Sequence, residues 1–383
     1  MFNLNDRIAT AALALALAMA PAPAGGVITN APPPAKLSKF KVETVAKGLE
    51  NPWGLQFLPD GRMLVSERPG RLRIVSKDGK LSKPVAGVPE VAAVGQGGLL
   101  DVLLAPDFAK SGTIYFSYSE PRGWFQNGTS VARAKLALDG EGGHLEDIKV
   151  IFQQQPAANS ELHFGSRLVW AGDGTLFVTT GERYKLREEA QNPANDIGKI
   201  IRINPDGTVP DDNPRLKGWA PEVWSIGHRN VQGAALRPET GALYTVEHGA
   251  RGGDELNHPE KGKNYGWPVI AYGIDYSGAK LGEGTARKGM EQPLYYWVPS
   301  IATSGLAFYT GDLFPDWKGN AFVGGLMGQH MERLVLDGDK VVAAEMLLGD
   351  EGKRIRDVRQ GPDGALWVLT DDTGEVLRIV PAR

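Results

Sequence analysis

One pattern occurs six times along the chain, and nothing else in the sequence restricts the fold as much. It consists of an apolar pair, a turn rich in Pro, Asp or Gly, and an alternating strand ending in Ser, Thr or an acid. The copies are LQFLPDGRMLVSER from Leu55, VLLAPDFAKSGTIYFSYSE from Val102, LVWAGDGTLFVTTGER from Leu168, AALRPETGALYTVEHG from Ala234, a looser LAFYTGDLFPDWKGNAFVGG from Leu306, and VRQGPDGALWVLTDD from Val358. Each reads as a hairpin, two short strands of period-two alternation about a tight turn. A third strand follows most copies, as in GRLRIVSKDG at Gly70, GKIIRINPDG at Gly198, MERLVLDGDK at Met331 and TGEVLRIVP at Thr373. No long segment carries helical apolar spacing. Six such units, separated by loops of uneven length, describe an all-β, six-bladed β-propeller. Paired sandwiches would not repeat one motif six times, and a β-helix needs a shorter period. The strand in SKFKVETVAKGL precedes the first hairpin and TGEVLRIVP ends the chain. Sharing one blade, they would close the ring without an exposed sheet edge.

Composition agrees with many strands and turns, since 49 glycines and 26 prolines fall among 383 residues. A net charge of -3 argues against a nucleic-acid surface. The absence of cysteine rules out disulfides, thiolate metal sites and thiol nucleophiles. At the N-terminus, Arg7 precedes an apolar run from Ile8 to Ala20, followed by Ala22-Pro23-Ala24. This is the layout of a secretory signal peptide over residues 1–24, too short for a membrane span. Residues 25–39 then read as a flexible lead-in and 40–383 as a single propeller domain. The mature chain is expected in the periplasm or outside the cell, with no integral membrane segment.

Polar residues of unusual type crowd into the loops between repeats, where propellers carry their ligand sites. Arg229, Arg354 and Arg356 come from different blades, and Asn230 and Gln96 are expected near the same rim. The planar fork of arginine suits carboxylates and phosphates, so three at one rim point to a multiply charged ligand, although Asp357 is an available partner. The stretch from Glu247 to Ser277 supplies Asp254, Glu255 and Asp275 beside a Gly-rich turn. Hard oxygen ligands of this kind suit calcium, and a solvated acidic loop accounts for them equally well. His163 stands just before a strand, with Glu182 at the far end of the same hairpin. A carboxylate beside an imidazole fixes its tautomer and supports the charge gained on proton transfer. On residue types alone, a histidine packed at a strand entrance is the simpler reading.

The motifs NPWGLQFLPDGRMLVSERPGRL, GQGGLLDVLLAPDF, HFGSRLVWAGDGTLFVTTGER, SIGHRNVQG, GDELNHPEKGKNYGWP and KRIRDVRQGPDG occur in one order across all six repeats. Through them, from about Glu50 to Val380, the chain resembles the soluble quinoprotein sugar dehydrogenases of the glucose/sorbosone dehydrogenase family. It is most similar to the periplasmic aldose sugar dehydrogenases that use pyrroloquinoline quinone (PQQ) and calcium. The resemblance implies that His163 is the base for the anomeric hydroxyl of an aldose, with Glu182 an acidic position near it. The C1 hydrogen would leave as hydride to PQQ, and an electron acceptor of unspecified identity would reoxidise the cofactor. It further implies that Gln96, Arg229, Asn230 and Tyr276 contact PQQ and that Arg354 and Arg356 bind its carboxylates. Gly249 and Ala250 match carbonyl ligands of the calcium beside PQQ. Glu255 and the main chain of Tyr265, with Asp275, match a second, structural calcium.

Two positions depart from the family pattern. Leu162 precedes the histidine where glucose-specific members carry Asp, and Met327 falls near a position where characterised enzymes supply a lysine to PQQ. A calcium-dependent lactonase-type hydrolase and a non-catalytic propeller that binds carbohydrate or protein are the competing expectations. Monomer and homodimer are both compatible with the sequence.

Overall fold

The computed structural model describes residues 29–382. The signal-peptide expectation, and the part of the lead-in before residue 29, lie outside the described residues. The first described strand, β1 (Phe40–Ala46), belongs to the last blade. Blade one is β2 (Pro52–Phe57), β3 (Met63–Glu67) and β4 (Arg71–Val75). Blade two is β5 (Leu99–Leu104), β6 (Thr113–Pro121), β7 (Asn127–Asp139) and β8 (Gly142–Gln153). Blade three is β9 (Gly165–Trp170), β10 (Leu176–Thr180), β11 (Lys199–Ile203) and β12 (Val223–Ile226). Blade four is β13 (Val231–Leu236), β14 (Leu243–Glu247), β15 (Asp254–Asn257) and β16 (Tyr295–Trp297). Blade five is β17 (Thr303–Phe308), β18 (Ala321–Gly325), β19 (His330–Asp337) and β20 (Lys340–Leu347). Blade six is β21 (Ile355–Gln360), β22 (Leu366–Thr370) and β23 (Val376–Pro381), completed by β1 at its outer edge. The six-bladed β-propeller and its closure are therefore as the repeats require. β1 pairs antiparallel with β23, Val42 facing Ile379 and Thr44 facing Leu377.

Period-two alternation gives each blade two apolar faces, and each face is buried against the next blade. The core is accordingly a ring of interfaces. Leu64, Leu72 and Ile74 of blade one meet Val102, Ile114 and Phe116 of blade two. Phe177 and Ile200 of blade three meet Val231 and Leu243 of blade four. Each such side chain stabilises the fold by about 1.5–3 kcal/mol when fully buried. Residues 29–39 run along blade five, where the Ser38 N–H and hydroxyl donate to Glu345 (2.6 and 2.7 Å) and Lys36 pairs with Asp316 (2.6 Å). Among the described residues, no helix is long and apolar enough to cross a membrane.

All six innermost strands (β2, β5, β9, β13, β17, β21) carry an extra residue against their hairpin partner near one end. A bulge of this kind locally re-aims side chains and is common beside functional sites. Here all six lie at the same rim, where the innermost strands begin and the second strands end.

Candidate active site

The side chains singled out from the sequence come mainly from two kinds of position on that rim. Gln96, His163, Arg229, Asn230 and Arg354 lie just before innermost strands, and Arg356 is the second residue of β21. Glu182, Glu247 and Asp371 lie where second strands leave the rim. The two sets meet because glycine lets the backbones touch. A Cβ on Gly181 would stand 2.1 Å from the carbonyl oxygen of His163, so only glycine allows β10 to leave this close to the start of β9.

His163 is held in a strained conformation. Its φ is +54°, in the left-handed region that costs a non-glycine residue about 1–3 kcal/mol. The strain is sustained by bonds on either side: His163 N donates to Gln96 Oε1 (2.9 Å) and Gly165 N to Asn230 Oδ1 (3.0 Å). The imidazole then points into the rim, with Nδ1 2.5 Å from Glu182 Oε1. Burial, followed by the charges of Arg229 and Arg183, holds the His163 pKa well below its ordinary value. Burial also pushes the Glu182 carboxyl up to about 7, against the pull of Arg229. Once Glu182 is ionised it can only accept, so Nδ1 carries the proton and Nε2 is left with a lone pair. Nε2 has no hydrogen-bond partner among the described residues. A strained histidine with a carboxylate behind it and an open nitrogen in front is poised to take a proton.

Around this pair, hydrogen-bond donors outnumber acceptors. Arg229 Nε and Asn230 Nδ2 are buried without a partner, and the Arg229 guanidinium lies 5.1 Å from the Trp267 ring centre. Across the rim, Arg354 and Arg356 share Asp371 at 3.5 and 3.3 Å, and Arg356 Nη1 donates to Gln232 Oε1 (2.7 Å). Asp357, the acid expected to be available to these arginines, instead faces Arg167 (3.2 Å) and Arg359 (2.9 Å). Burial raises the Asp371 pKa, but Arg356, Arg68 and Arg354 together outweigh it and hold the carboxyl below its usual range. Arg68, from the exit of blade one, escaped the sequence reading, as did Asp371 and Arg183. Their common signal was the acid or base ending each second strand. Met327 is 69% exposed at the same rim. Arg354 Nη1 donates to the carbonyl of Leu326 (3.2 Å), so a guanidinium reaches the segment where a lysine was missing.

Beside Arg229 lies a small cavity of about 10 Å³, lined among others by Glu247, Gly249, Ala250, Glu255 and Tyr265. The turn is so tight that a Cβ on Gly249 would meet Gly252 O at 2.3 Å. The carbonyls of Gly249, Ala250 and Tyr265 accept no hydrogen bond among the described residues. Asn257 Nδ2 bridges Glu247 and Glu255, at 3.0 Å to each. Burial, then Glu247, pushes the Glu255 carboxyl up to about 8. Half-buried Glu255 beside buried Glu247 and several free carbonyls is a donor set that fits a hard cation. Among the described residues no three acidic or imidazole side chains converge, so such a cation would rely on main-chain oxygen. Asp254 and Asp275 are not gathered there. Asp254 accepts from Gly249 N (2.8 Å) and the Ser300 hydroxyl (2.9 Å). Asp275 accepts from Ser277 and stands 3.7 Å from Arg187 on the wall of a neighbouring cleft of about 190 Å³. Tyr276, 58% exposed, and Tyr184 line the same cleft, which runs past Glu182 and Arg229. The Tyr184 ring meets His163 edge-on at 5.5 Å.

A second histidine has the outward look of a hydrolytic triad. Ser225 Oγ lies 2.9 Å from His228 Nε2, and His228 Nδ1 lies 2.9 Å from Glu247 Oε1. Ser225 and His228 have no exposed surface, so no acyl group reaches the serine. This chain of bonds braces Glu247 instead.

Fold and site together define a class, a propeller with a histidine–carboxylate pair and a group of arginines on one rim. The chain belongs to the glucose/sorbosone dehydrogenase family, which it matches over residues 49–378. It is 47% identical over 346 residues to an aldose sugar dehydrogenase of Escherichia coli (strain K12), covering 89% of this chain and 92% of that protein. A crystal structure of a glucose dehydrogenase at 50% identity gives a TM-score of 0.86, covering 90% of this chain and all of that one. The PQQ-bound form of an aldose sugar dehydrogenase from Streptomyces coelicolor, at 29% identity, gives 0.77 over 91% and 99% of the two chains.

Proposed function

We propose that this PQQ-type sugar dehydrogenase oxidises the C1 hydroxyl of aldoses to lactones with His163 as the base and calcium as a second cofactor. The reading rests above all on the 2.5 Å contact of His163 Nδ1 with Glu182, which leaves Nε2 without a hydrogen-bond partner among the described residues. When bound, PQQ supplies the acceptor for the hydride leaving C1, and calcium supplies Lewis acidity beside it. His163 Nε2 takes the hydroxyl proton, and the Glu182 carboxylate stabilises the imidazolium that forms. Arg229, Arg354 and Arg356 would hold the three cofactor carboxylates, with Gln96, Asn230 and Tyr276 completing the contacts. The unpartnered donors on Arg229 and Asn230 favour this placement. Gly249 and Ala250 would offer carbonyls to the calcium next to the cofactor. Glu255 and the carbonyl of Tyr265 would hold a second one, whereas Asp275 belongs by position to the sugar cleft. Residues 1–24 would direct export to the periplasm, where the propeller of 40–383 passes its electrons to a separate acceptor.

The test is reconstitution of the apoprotein with PQQ and calcium, followed by aldose-dependent reduction of an artificial electron acceptor. His163→Gln should lose nearly all turnover while retaining the spectral change on PQQ addition. Turnover comparable to the parent's would remove His163 from the role of base. No spectral change in the parent would overturn the cofactor reading.

A further inference from the structure

Lys199 begins β11, has no exposed surface and plays no part in the chemistry above. Its Nζ donates to the carbonyls of Glu189 (2.9 Å), Ala190 (3.1 Å) and Ile197 (2.5 Å), with Asn195 Oδ1 at 3.5 Å. An ammonium has three N–H donors, so three carbonyls satisfy it fully. Burial pushes the pKa of this lysine down to about 7, while Asp196 and Glu189 pull it upward. The carbonyl cage favours the charged form, because a neutral amine would turn a lone pair toward an oxygen.

Every acceptor in the cage belongs to the segment 182–197, which leaves β10 and returns at β11. The two ends of that segment meet, Gly198 N donating to Gly181 O (3.2 Å) and Lys199 N to Thr180 Oγ1 (3.0 Å). Glu182 stands at its start, and Tyr184, Lys185 and Arg187 form its cleft wall. Ala190 ties it to the cofactor side, its carbonyl also accepting from Gly227 N (2.9 Å) and its methyl packing with Ala250 and Trp267. Loops of this length with so little regular structure are uncommon unless they serve a site. A catalytic wall must also be held to within about 0.5 Å.

We propose that Lys199 is a positioning residue, a built-in cation around which the loop 182–197 folds, fixing the Glu182 carboxylate and the substrate-facing wall. The proposal rests on the sugar-oxidation reading for its consequence in turnover, but not for its structural content. Chemically, Nζ occupies a monovalent-cation site made of backbone carbonyls. A small ammonium ion should therefore substitute for a missing side chain.

The experiment uses the holoprotein, reconstituted with PQQ and calcium, and the variants Lys199→Ala and Lys199→Gln. Backbone hydrogen exchange is followed by mass spectrometry in ammonium chloride and in sodium chloride of equal ionic strength. Expected in sodium chloride is exchange at least tenfold faster across 183–197, with the other blades unchanged and PQQ affinity within threefold. kcat/KM for an aldose should fall at least tenfold, through both kcat and KM. Ammonium should restore protection and part of the turnover to Lys199→Ala. Exchange within twofold of the parent overturns the proposal, as does the same exchange of Lys199→Ala in both salts. Global unfolding of both variants also overturns it, because Lys199 would then be a core residue rather than a loop staple. A parent that oxidises no aldose would sink the functional reading alone, since exchange decides the role of Lys199 independently.

Discussion

Glu182→Gln offers a sharp test of how the histidine is activated. The amide keeps the volume of the acid and can still accept from Nδ1–H, so the imidazole should stay in place. What disappears is the negative charge 2.5 Å from Nδ1, which matters most when the ring becomes positive in the transition state. A charge-assisted hydrogen bond is worth about 1.5–3 kcal/mol, which converts to a fall in kcat of roughly 10- to 150-fold. The pH profile should change as well. Burial raises the Glu182 pKa to about 7. Below that pH the carboxyl is protonated and donates to Nδ1, which leaves the ring proton on Nε2, the nitrogen that has to accept. Above it the carboxylate accepts from Nδ1–H and Nε2 is free. Activity of the parent should therefore rise with pH through an apparent pKa near 7 belonging to the pair, and Glu182→Gln should lose that limb. The assay is steady-state dye reduction at saturating aldose and PQQ from pH 5 to 9, with cofactor affinity checked by spectral titration. A variant kcat within threefold of the parent's, with the acid limb intact, would refute the reasoning.

Other consequences can be measured with the same preparation. Arg356→Met should weaken PQQ binding by about tenfold or more, the equivalent of one charge-assisted bond, with kcat at saturation largely kept. Unchanged affinity would mean that this arginine serves only Asp371 and Gln232. Calcium at 100 times its dissociation constant should stabilise the parent by about 2.7 kcal/mol, seen as a Tm several degrees higher. Glu255→Gln should abolish that response, and a Tm indifferent to calcium in the parent would remove the cation from the buried pocket. Ser225→Ala should cost about 1 kcal/mol by leaving His228 Nε2 unpaired, with sugar oxidation unchanged. A loss of turnover without a loss of stability would give that serine a role in the chemistry.

The blade count and the closing strand were legible because both follow from period-two alternation and from a turn chemistry repeated six times. The positions of His163, Arg229 and Arg354 were legible for a related reason, since each precedes a recognisable innermost strand. The partnerships were not. Asp357 follows Arg356 directly and Asp371 lies 15 residues beyond it, yet the fold sets Asp371 against Arg354 and Arg356 and turns Asp357 to Arg167 and Arg359. Asp254, Glu255 and Asp275 look like one ligand set in a line of text. The fold sends the first to backbone and hydroxyl donors, the second into a buried cavity and the third to an open cleft. The left-handed turn at His163 was not legible from the residue itself, because only a few per cent of non-glycine residues adopt positive φ. The room for it comes from Gly181 at the next strand's exit, where a Cβ would stand 2.1 Å from the His163 carbonyl oxygen.

The pairing of β1 with β23 has a kinetic side. Arg378 binds Glu43 across 335 positions of sequence, so the last sheet draws on strands made at nearly opposite times in synthesis. Each of the other five blades is contiguous in the chain and can assemble from near neighbours, whereas blade six must wait for a contact of very high sequence separation. Ring closure should accordingly be the slow, late event of folding, preceded by an arc of finished blades with open apolar faces at both ends. A nascent chain interrupted before Val376 would leave β1 without its partner, so the seam acts as a checkpoint that only a chain carrying its last strand can pass.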